Sequence, residues 1–297
     1  MAEGLSKPDT RELTLAEALA HVPGYSAGAA GVTIERLAGG SVNRSLRVCT
    51  GAGCFVVRLS AQSDAWLTPD RSAERVLQTT AAQAGIAPRI LHADARDRWL
   101  ITEFVAGRLW NEADFACASQ LARLGSTLRQ LHRLPAPAVG RFELLAVLRR
   151  YVQRIAPVAT EDLTLCLGKA QRAWEVSGAN GRAPAILHHD LHASNIIDES
   201  EATPVLIDWE CAAVSDPLLD VACILSYYES ARPHSRLLLQ HSGLADVTPP
   251  QLAAALWLFD LHTLLWYRER RLRLPATAAE LEAERRLAVR VAVEGAC

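Results

Sequence analysis

Six polar side chains suited to acid–base chemistry or cation binding lie within residues 185–210, AILHHDLHASNIIDESEATPVLIDWE. They follow two apolar runs, Ile186-Leu187 and Val205-Leu206-Ile207, which predict buried strands. Side chains at the ends of buried strands reach clefts, so we expect the six to gather in one place. They are His188, Asp190, His192, Asn195, Asp208 and Glu210.

Four of these six side chains are oxygen donors, since three are carboxylates and one is a carboxamide. Such donors suit Mg²⁺, which proteins usually hold with one or two carboxylates while substrate phosphates complete the shell. A zinc cluster built from His188, His189, Asp190 and His192 is an alternative, but zinc histidines are normally three to five residues apart. A second alternative is that the six residues merely cap and turn the backbone.

The order and spacing of these residues follow the logic of a kinase catalytic loop. His188-x-Asp190 comes first, Asn195 follows the aspartate by five residues, and Asp208 precedes a bulky residue. Phosphoryl transfer needs a carboxylate for the attacking hydroxyl, which Asp190 fits. It also needs Mg²⁺ on the phosphates, for which Asn195 and Asp208 would supply oxygens. His188 is expected to hold the loop backbone.

LHHDLHASNII followed by VLIDWECAAVSDPLLDVA resembles the aminoglycoside phosphotransferase and choline kinase superfamily, and within it the bacterial thiamine and choline kinases. The resemblance runs from about residue 31 to about residue 230. It implies an α+β, protein-kinase-like bilobal fold and transfer of the ATP γ-phosphate to a hydroxyl of a small molecule. Asp216 and Asp220, which follow the metal motif, are interpreted as structural anchors.

A kinase-like fold also requires a turn over the phosphates between the first two strands. Gly39-Gly40-Ser41 and Asn43 occupy that position, and glycines there let backbone N–H groups approach phosphate oxygens. A plain β-hairpin turn explains the two glycines equally well.

The third strand of such a fold carries a cation. Lys7 and Lys169 are the only lysines and neither can lie there, so Arg58 is the candidate. Related choline- and thiamine-kinase-like sequences often carry arginine here, which can grip phosphate through two nitrogens. Glu74, on the next predicted helix, is its expected partner, although a solvent-facing glutamate beside Arg71 or Arg75 is the alternative. Without the rest of the pattern, Arg58 itself would be a solvated strand residue.

Residues 102–107, TEFVAG, resemble the connector whose backbone receives the adenine base, which makes Glu103 and Val105 nucleotide-contact candidates.

Two features bear on the acceptor. Glu210, next to the metal aspartate, would favour a cationic substrate, unless it only caps the chain or pairs with an arginine. In the helix after Pro250, a 3.6-residue period places Trp257, Asp260 and Tyr267 on one face. Aromatic rings beside an acid suit cation–π capture of a quaternary ammonium or thiazolium, although such a stripe is more often core.

The resulting prediction is a Mg·ATP-dependent small-molecule kinase with a hydroxyl acceptor resembling thiamine or choline. An aminoglycoside or sugar phosphotransferase is the alternative within the class. A nucleotide-binding regulator without catalysis is the alternative outside it, although Asp190, Asn195 and Asp208 are all present.

The composition of the chain limits its broad class, its partners and its compartment. The chain has 297 residues, is 50% hydrophobic and has a formal net charge of −2, which predicts a soluble globular protein and favours neither nucleic acid nor membrane as partner. Its seven scattered cysteines predict reduced thiols. The polar start lacks the apolar core of a signal peptide, so a cytoplasmic location is expected. A monomer or a homodimer is also expected.

Periodicity and turn residues predict the elements that position these residues. Strands are expected at 32–37, 45–50, 54–59, around 90 and at 99–105. Helices are expected at 13–21, 69–85, 113–134, 144–158, 164–176 and 250–274. These ranges predict an N-terminal nucleotide-binding lobe, 1–106, and a mainly helical lobe, 107–297, with the catalytic loop and acceptor site.

Overall fold

A five-stranded antiparallel sheet forms the first part of the computed structural model, which describes residues 10–37, 43–60, 71–158, 163–199 and 203–294. Helix α1 (Thr10–Leu19) precedes the sheet and α2 (Arg71–Gln83) follows its third strand. The sheet order is β1-β2-β3-β5-β4. The strands are β1 (Thr33–Arg36), β2 (Arg44–Thr50), β3 (Gly53–Leu59), β4 (Ile90–Ala93) and β5 (Trp99–Glu103). All of these elements lie at or near their predicted positions.

The alternation of side chains along β3 explains how the sheet separates a core face from a cleft face. Phe55, Val57 and Leu59 are buried and pack in one cluster with residues of α1. Val56 and Arg58 point to the other face, where they line a cavity. Because successive side chains of a strand alternate between faces, the apolar pattern of β3 also fixes the direction of Arg58.

Cys49 and Cys54 form a disulfide between β2 and β3, where they are direct partners in the strand register. The prediction that all the cysteines are reduced thiols is therefore wrong for this pair. The pairing depends on the hairpin: the turn between β2 and β3 places the two residues opposite each other, which a five-residue separation alone does not indicate. Cysteines 117, 166, 211 and 223 are free thiols.

Eight helices within the described ranges follow the sheet. The predicted helix at 113–134 is divided at Cys117, whose backbone is extended. Helix α7 lies outside the predicted helical ranges because it is buried on all sides and lacks an amphipathic period. No helix in the described ranges is long and apolar enough to cross a membrane. The eight are α3 (Glu112–Phe115), α4 (Ala118–His132), α5 (Leu144–Ile155), α6 (Thr164–Ser177), α7 (Leu218–Tyr227), α8 (Ser235–His241), α9 (Pro249–Arg271) and α10 (Ala278–Glu294).

Helix α9 is the centre of the helical part. It packs against α5, α6, α7 and α10, and Leu258, Leu261 and Leu265 lie in the apolar cluster that joins it to α5 and α10. A second cluster joins α4, α7 and α8. Helix α7 therefore lies between α9 and the α4–α8 pair, under the short strands described next.

Five short strands present the polar passage at 188–210. Strands β7 and β10 pair antiparallel, and β8 pairs with β6 on one side and β9 on the other. The loop from β7 to β8 and the turn after β9 emerge from this buried frame, as the apolar runs predicted. The strands are β6 (Arg108–Leu109), β7 (Ala185–Leu187), β8 (Ile196–Asp198), β9 (Val205–Leu206) and β10 (Ala213–Ser215).

Gly107 passes very close to β8 as the chain leaves the five-stranded sheet. Its φ is +155°, and a Cβ atom there would lie 2.6 Å from the Asp198 carbonyl oxygen. The pairing of Arg108 with Asp198 requires this close approach. The exact lobe boundary at residues 106 and 107 stays a prediction.

The substitution Gly107→Ala should lower the free energy of unfolding by about 1–3 kcal/mol, because the added methyl group forces the connector away from β8. Urea denaturation measures the change. Gly140→Ala is the matched control, since a Cβ there meets nothing within 4 Å. It should leave the stability unchanged or slightly raised. Equal losses for both variants would contradict this account of the connector.

Candidate active site

His188 connects the β7–β8 loop to the turn after β9. Its side chain is fully buried, and its Nε2 donates to the Ile207 carbonyl oxygen at 2.9 Å. Its Nδ1 accepts from the Asp190 amide at 3.4 Å. Burial lowers the pKa of His188, so the ring is neutral and can donate through one nitrogen while accepting through the other. These contacts agree with the expected backbone-holding role of His188.

Asp220, on α7, supports the same loop from below. Its carboxylate accepts from the amides of His188 at 3.2 Å and His189 at 2.8 Å, and from His132 Nε2 at 3.0 Å. Burial alone would raise the pKa of Asp220, but the hydrogen bonds from His132 and the His189 amide lower it below its ordinary value. Asp216 likewise binds Arg182 and the Leu218 amide. Both aspartates make the structural contacts that the sequence suggested.

The Asp190 carboxylate is held from two sides. Its Oδ2 accepts from Asn195 Nδ2 at 2.9 Å, and its Oδ1 lies 3.4 Å from the Tyr227 hydroxyl. His192 Nε2 lies 3.6 Å from the same Oδ1, and its ring stacks on Tyr227 with centroids 3.8 Å apart. Asp190 remains 23% exposed, so the carboxylate is oriented but still open to a ligand.

The side chains of the three histidines in the alternative zinc cluster do not converge on one point. His188 contacts the β9 turn, and His192 stacks on Tyr227. His189 is buried among the rings of Phe142, Phe259 and His262. No three or more His, Cys, Asp or Glu side chains of the described chain form a group that could hold a metal ion.

Asp208 begins the turn after β9 with a left-handed backbone, φ +63°. Its side chain is 31% exposed, lines the cavity, and lies 3.3 Å from Arg58. Burial and the neighbouring Glu210 carboxylate raise the pKa of Asp208 to about 7. Left-handed conformations of non-glycine residues are costly and cluster at functional sites, where the surroundings over-determine them.

A divalent cation fits this donor set. Both hydrogen bonds of Asn195 Nδ2 go to Asp190, and in the described chain its Oδ1 accepts none. Asp208 supplies a carboxylate at the edge of the cavity, with Glu210 two residues further along the same turn. One carboxylate and one carboxamide, with phosphate oxygens to complete the shell, is a typical magnesium arrangement.

Arg58 and Glu74 form the predicted pair. The Arg58 guanidinium is 11% exposed and donates to Glu74, whose side chain is 2% exposed. Burial alone would lower the pKa of Arg58, but Glu74, Asp208 and Glu210 raise it above its ordinary value. The alternative of a solvent-facing Glu74 is wrong, because this carboxylate lies under the sheet.

Arg71 is a site residue that the sequence analysis considered only as a surface neighbour of Glu74. Its guanidinium contacts Glu74 at 2.8 Å and Glu210 at 3.4 Å. Glu210 also accepts from Asn43 Nδ2 at 2.7 Å. The partners of Glu210 are thus an arginine, as the alternative interpretation had it, and an asparagine. Gly39, Gly40 and Ser41 lie outside the described residues.

A cavity of about 300 Å³ opens between the sheet and these loops. Asn43, Arg58, Asn195 and Asp208 line one part of it, and the connector residues Glu103, Phe104 and Val105 line another. The Glu103 carboxylate pairs with Arg89 at 2.6 Å near the surface, and the Glu103 amide donates to the Arg89 carbonyl oxygen. Within the described chain, the Val105 amide donates no hydrogen bond.

The three acceptor candidates on α9 have different surroundings. Trp257 is 5% exposed, and its indole N–H donates to the Val291 carbonyl oxygen. Asp260 is fully buried and pairs with Arg290 at 2.8 Å and with Ser226. Tyr267 is half-buried; burial raises its pKa, and the charges of Glu280 and Asp190 add to that shift. Only Tyr267 therefore has both open surface and Asp190 as an electrostatic neighbour.

Half-buried rings extend from Asp190 into the helical part, and the sequence analysis did not identify them as a group. Tyr227 contacts Phe259, and His262 contacts Phe142 and Tyr151, all with ring centroids 5.6–5.7 Å apart. We call Phe142, Tyr151, Tyr227, His262 and Tyr267 the aromatic wall. These residues come from α5, α7, α9 and the segment before α5, so no spacing within one helix reveals them.

Comparison with known proteins agrees with this geometry. A family model described as the phosphotransferase enzyme family (APH) matches residues 33–255. A comparison with curated proteins finds no match. A choline/ethanolamine kinase family protein from Mesorhizobium loti has a similar structure, with 23% identity, a TM-score of 0.75, and coverage of 95% of this chain and 98% of that one.

Three further similar structures extend the comparison. Choline kinase LicA from Streptococcus pneumoniae gives a TM-score of 0.77 at 17% identity, covering 96% of this chain and 100% of that one. A structure of LicA in complex with AMP gives 0.70 at 17% identity, covering 89% and 92%. An aminoglycoside phosphotransferase from Alicyclobacillus acidocaldarius gives 0.57 at 16% identity, covering 93% and 92%.

These similarities confirm the predicted α+β, kinase-like architecture, with a β-rich N-terminal part and a helical C-terminal part. The family model covers the strand that carries Arg58, the loop that carries Asp190 and the turn that carries Asp208. Since it spans most of the sequence, the chain belongs to the phosphotransferase enzyme family.

Proposed function

We propose that this phosphotransferase moves the γ-phosphate of Mg·ATP to a hydroxyl of a small, cationic acceptor. The observation that carries the proposal is the convergence of Asp190, Asn195 and Asp208 beside the cavity that Arg58 lines. Phosphoryl transfer depends mainly on positioning and charge stabilisation, and these side chains are of the types it requires.

Several features support ATP as the phosphate donor. The cavity of about 300 Å³ has apolar walls, including Val56, Leu100 and Ile207, that suit a flat base. Val105 lines the cavity, and its amide donates no hydrogen bond within the described chain, so this donor is free to bind a ligand. The similar structure of LicA in complex with AMP supports a nucleotide as a ligand.

Asn195 and Asp208 are the proposed Mg²⁺ ligands, and Arg58 is the proposed phosphate contact. A bound Mg²⁺ would neutralise charge on the phosphates. Glu74 holds Arg58 in place, because the pair is buried and neither side chain has room to turn away. Arginine suits this role, since its planar guanidinium can contact phosphate oxygens through two nitrogens.

Asp190 is proposed to orient the acceptor hydroxyl and to receive its proton at Oδ1. The hydroxyl oxygen then bonds to the γ-phosphorus, and the bond from that phosphorus to the β–γ bridging oxygen breaks. ADP leaves with the electron pair of that bond. Asn195 holds Oδ2 at 2.9 Å, which leaves Oδ1 facing the acceptor side, where Tyr227 and His192 flank it.

The aromatic wall and the surrounding acids support a cationic acceptor. Tyr227 and Tyr267 present rings near the Asp190 carboxylate, and a cation over an aromatic face is attracted to the ring quadrupole. Some of the similar structures are named as choline or ethanolamine kinases, and both of these named substrates are amino alcohols. Choline- and thiamine-like alcohols are therefore the first candidates, with aminoglycosides or sugars as the alternative.

Asp190→Asn should lower kcat by about 10²- to 10⁴-fold, because it removes the proton acceptor while keeping the shape of the side chain. The affinity for Mg·ATP should stay within about twofold, a shift of under 0.5 kcal/mol. Coupled measurement of ADP release and calorimetry of nucleotide binding give both values. Asp246→Asn, on an exposed aspartate, is the control and should behave as the wild type. Full turnover by Asp190→Asn would remove Asp190 from the mechanism.

Asp208→Asn should abolish most of the Mg²⁺-dependent part of ATP affinity, a loss of at least about tenfold or 1.4 kcal/mol. The reason is that a carboxamide is a neutral and weaker ligand for a hard cation. Calorimetry with excess Mg²⁺ and with EDTA separates the two parts of the affinity. In EDTA, wild type and variant should bind ATP similarly. An unchanged Mg²⁺ dependence in the variant would show that Asp208 is not a ligand.

Tyr267→Leu should raise KM for a cationic alcohol by about 5- to 30-fold, from the loss of about 1–2 kcal/mol of cation–π attraction. Tyr267→Phe keeps the ring and should change this KM little. KM for ATP should stay constant in both. The acceptor is first chosen from a panel containing choline, ethanolamine, thiamine, aminoglycosides and simple sugars. A neutral sugar as the best substrate, or equal effects of Leu and Phe, would contradict a cation-binding role.

A further inference from the structure

Arg71 lies on α2, three residues before Glu74, and its side chain is only 14% exposed. A guanidinium with so little access to water is costly unless carboxylates surround it. The two carboxylate contacts of Arg71 supply that stabilisation.

The two carboxylates that Arg71 contacts belong to different parts of the fold. Glu74, at 2.8 Å, is on α2 and also holds Arg58. Glu210, at 3.4 Å, is in the turn after β9, two residues beyond Asp208. One guanidinium thus connects the helix beside the sheet to the turn that carries the proposed Mg²⁺ ligand.

Glu210 makes a second contact with the nucleotide side. Its Oε2 accepts from Asn43 Nδ2 at 2.7 Å, and Asn43 lies immediately before β2 and lines the cavity. Glu210 is 15% exposed, so these two partners take up most of its accessible surface. Neither partner lies on the helices that carry the aromatic wall.

Together these contacts make a chain of alternating charges, Arg58–Glu74–Arg71–Glu210, which Asn43 extends at one end and Asp208 at the other. Each link is at least two-thirds buried, and breaking a buried ion pair leaves an unpaired charge. The links therefore depend on one another, and removing Arg71 would release Glu74 and Glu210 at once.

We propose that Arg71 is a positioning residue for phosphoryl transfer and that Glu210 serves the nucleotide side of the site, not the acceptor. Arg71 fixes Glu74, and through it Arg58, relative to the turn that presents Asp208. The inference rests on the proposed function for its effect on turnover. The link between α2 and the turn after β9 also predicts an effect on nucleotide affinity, which can be measured without any acceptor.

The test compares Arg71→Gln, Arg71→Lys and Glu210→Gln with Arg75→Gln. Arg75 is one helical turn further along α2 and pairs with Asp97 instead, so it controls for loss of a charge on the same helix. Each variant is characterised by Tm, by calorimetry of ATP with and without Mg²⁺, and by kcat and both KM values.

Arg71→Gln and Glu210→Gln should each lower kcat by about 10- to 100-fold and weaken Mg·ATP binding by about 3- to 30-fold, which corresponds to loss of one buried charge contact. KM for the acceptor should stay within twofold. Arg71→Lys should recover part of the loss, and Arg75→Gln should match the wild type. The loss in the double variant Arg71→Gln/Glu210→Gln should be less than the sum of the two single losses, because both changes break the Arg71–Glu210 link.

Four outcomes would overturn the inference. Three of them are a raised acceptor KM in Glu210→Gln with normal Mg·ATP affinity, additive losses in the double variant, and equal losses in Arg71→Gln and Arg75→Gln. If the wild type turns over no acceptor, the proposed function fails, but the calorimetric comparison of the same variants still decides whether the link supports nucleotide binding. A fall in Tm without any loss of nucleotide affinity would reduce Arg71 to a stabilising residue and also overturn the inference.

Discussion

The Arg58 guanidinium is 11% exposed between the sheet and the turn after β9, and a charge with so little access to water is costly unless carboxylates surround it. Glu74 supplies one carboxylate from α2, and Asp208 supplies another from the C-terminal part of the fold. The charge of Arg58 therefore joins elements that are far apart in sequence. The position of α2, the turn after β9 and the shape of the cavity all depend on keeping carboxylates next to this buried charge.

The loop that carries Asp190 depends on a second buried group, the carboxylate of Asp220. Asp220 accepts hydrogen bonds from two consecutive amides of the loop, those of His188 and His189, and the latter residue has a left-handed backbone with φ +65°. Such a conformation costs free energy in a residue with a side chain, and the amide–carboxylate bonds offset that cost. His132 binds the other side of Asp220 and lowers its pKa, so the carboxylate stays ionised beneath the loop. A rigid loop follows, with Asp190 held at its edge.

The site has two sides with different chemistry. On the proposed nucleotide side, arginines and carboxylates alternate, and their contacts are largely buried. On the proposed acceptor side, half-buried rings from three helices and the segment before α5 extend from Asp190 into the helical part. Fixed charges suit phosphate groups, whose geometry never changes between acceptors, while an aromatic surface can be altered ring by ring to suit different acceptors. This division fits a family in which related folds carry choline kinases and aminoglycoside phosphotransferases.

The sequence by itself determined the strands of the first sheet, most of the helices outside α7, α8 and α10, the grouping of Asp190, Asn195 and Asp208, and the choice of Arg58 as the cation of the third strand. These features were predictable because they depend on local periodicity, on short spacings within one passage, and on the near absence of lysine. The Cys49–Cys54 pair, the Arg71 contacts, the burial of Trp257 and Asp260, and the aromatic wall were decided only by the tertiary structure. Each of them depends on which elements pack together, and a side chain's partner on another element, like its burial, is set by that packing and leaves no periodic trace in the chain.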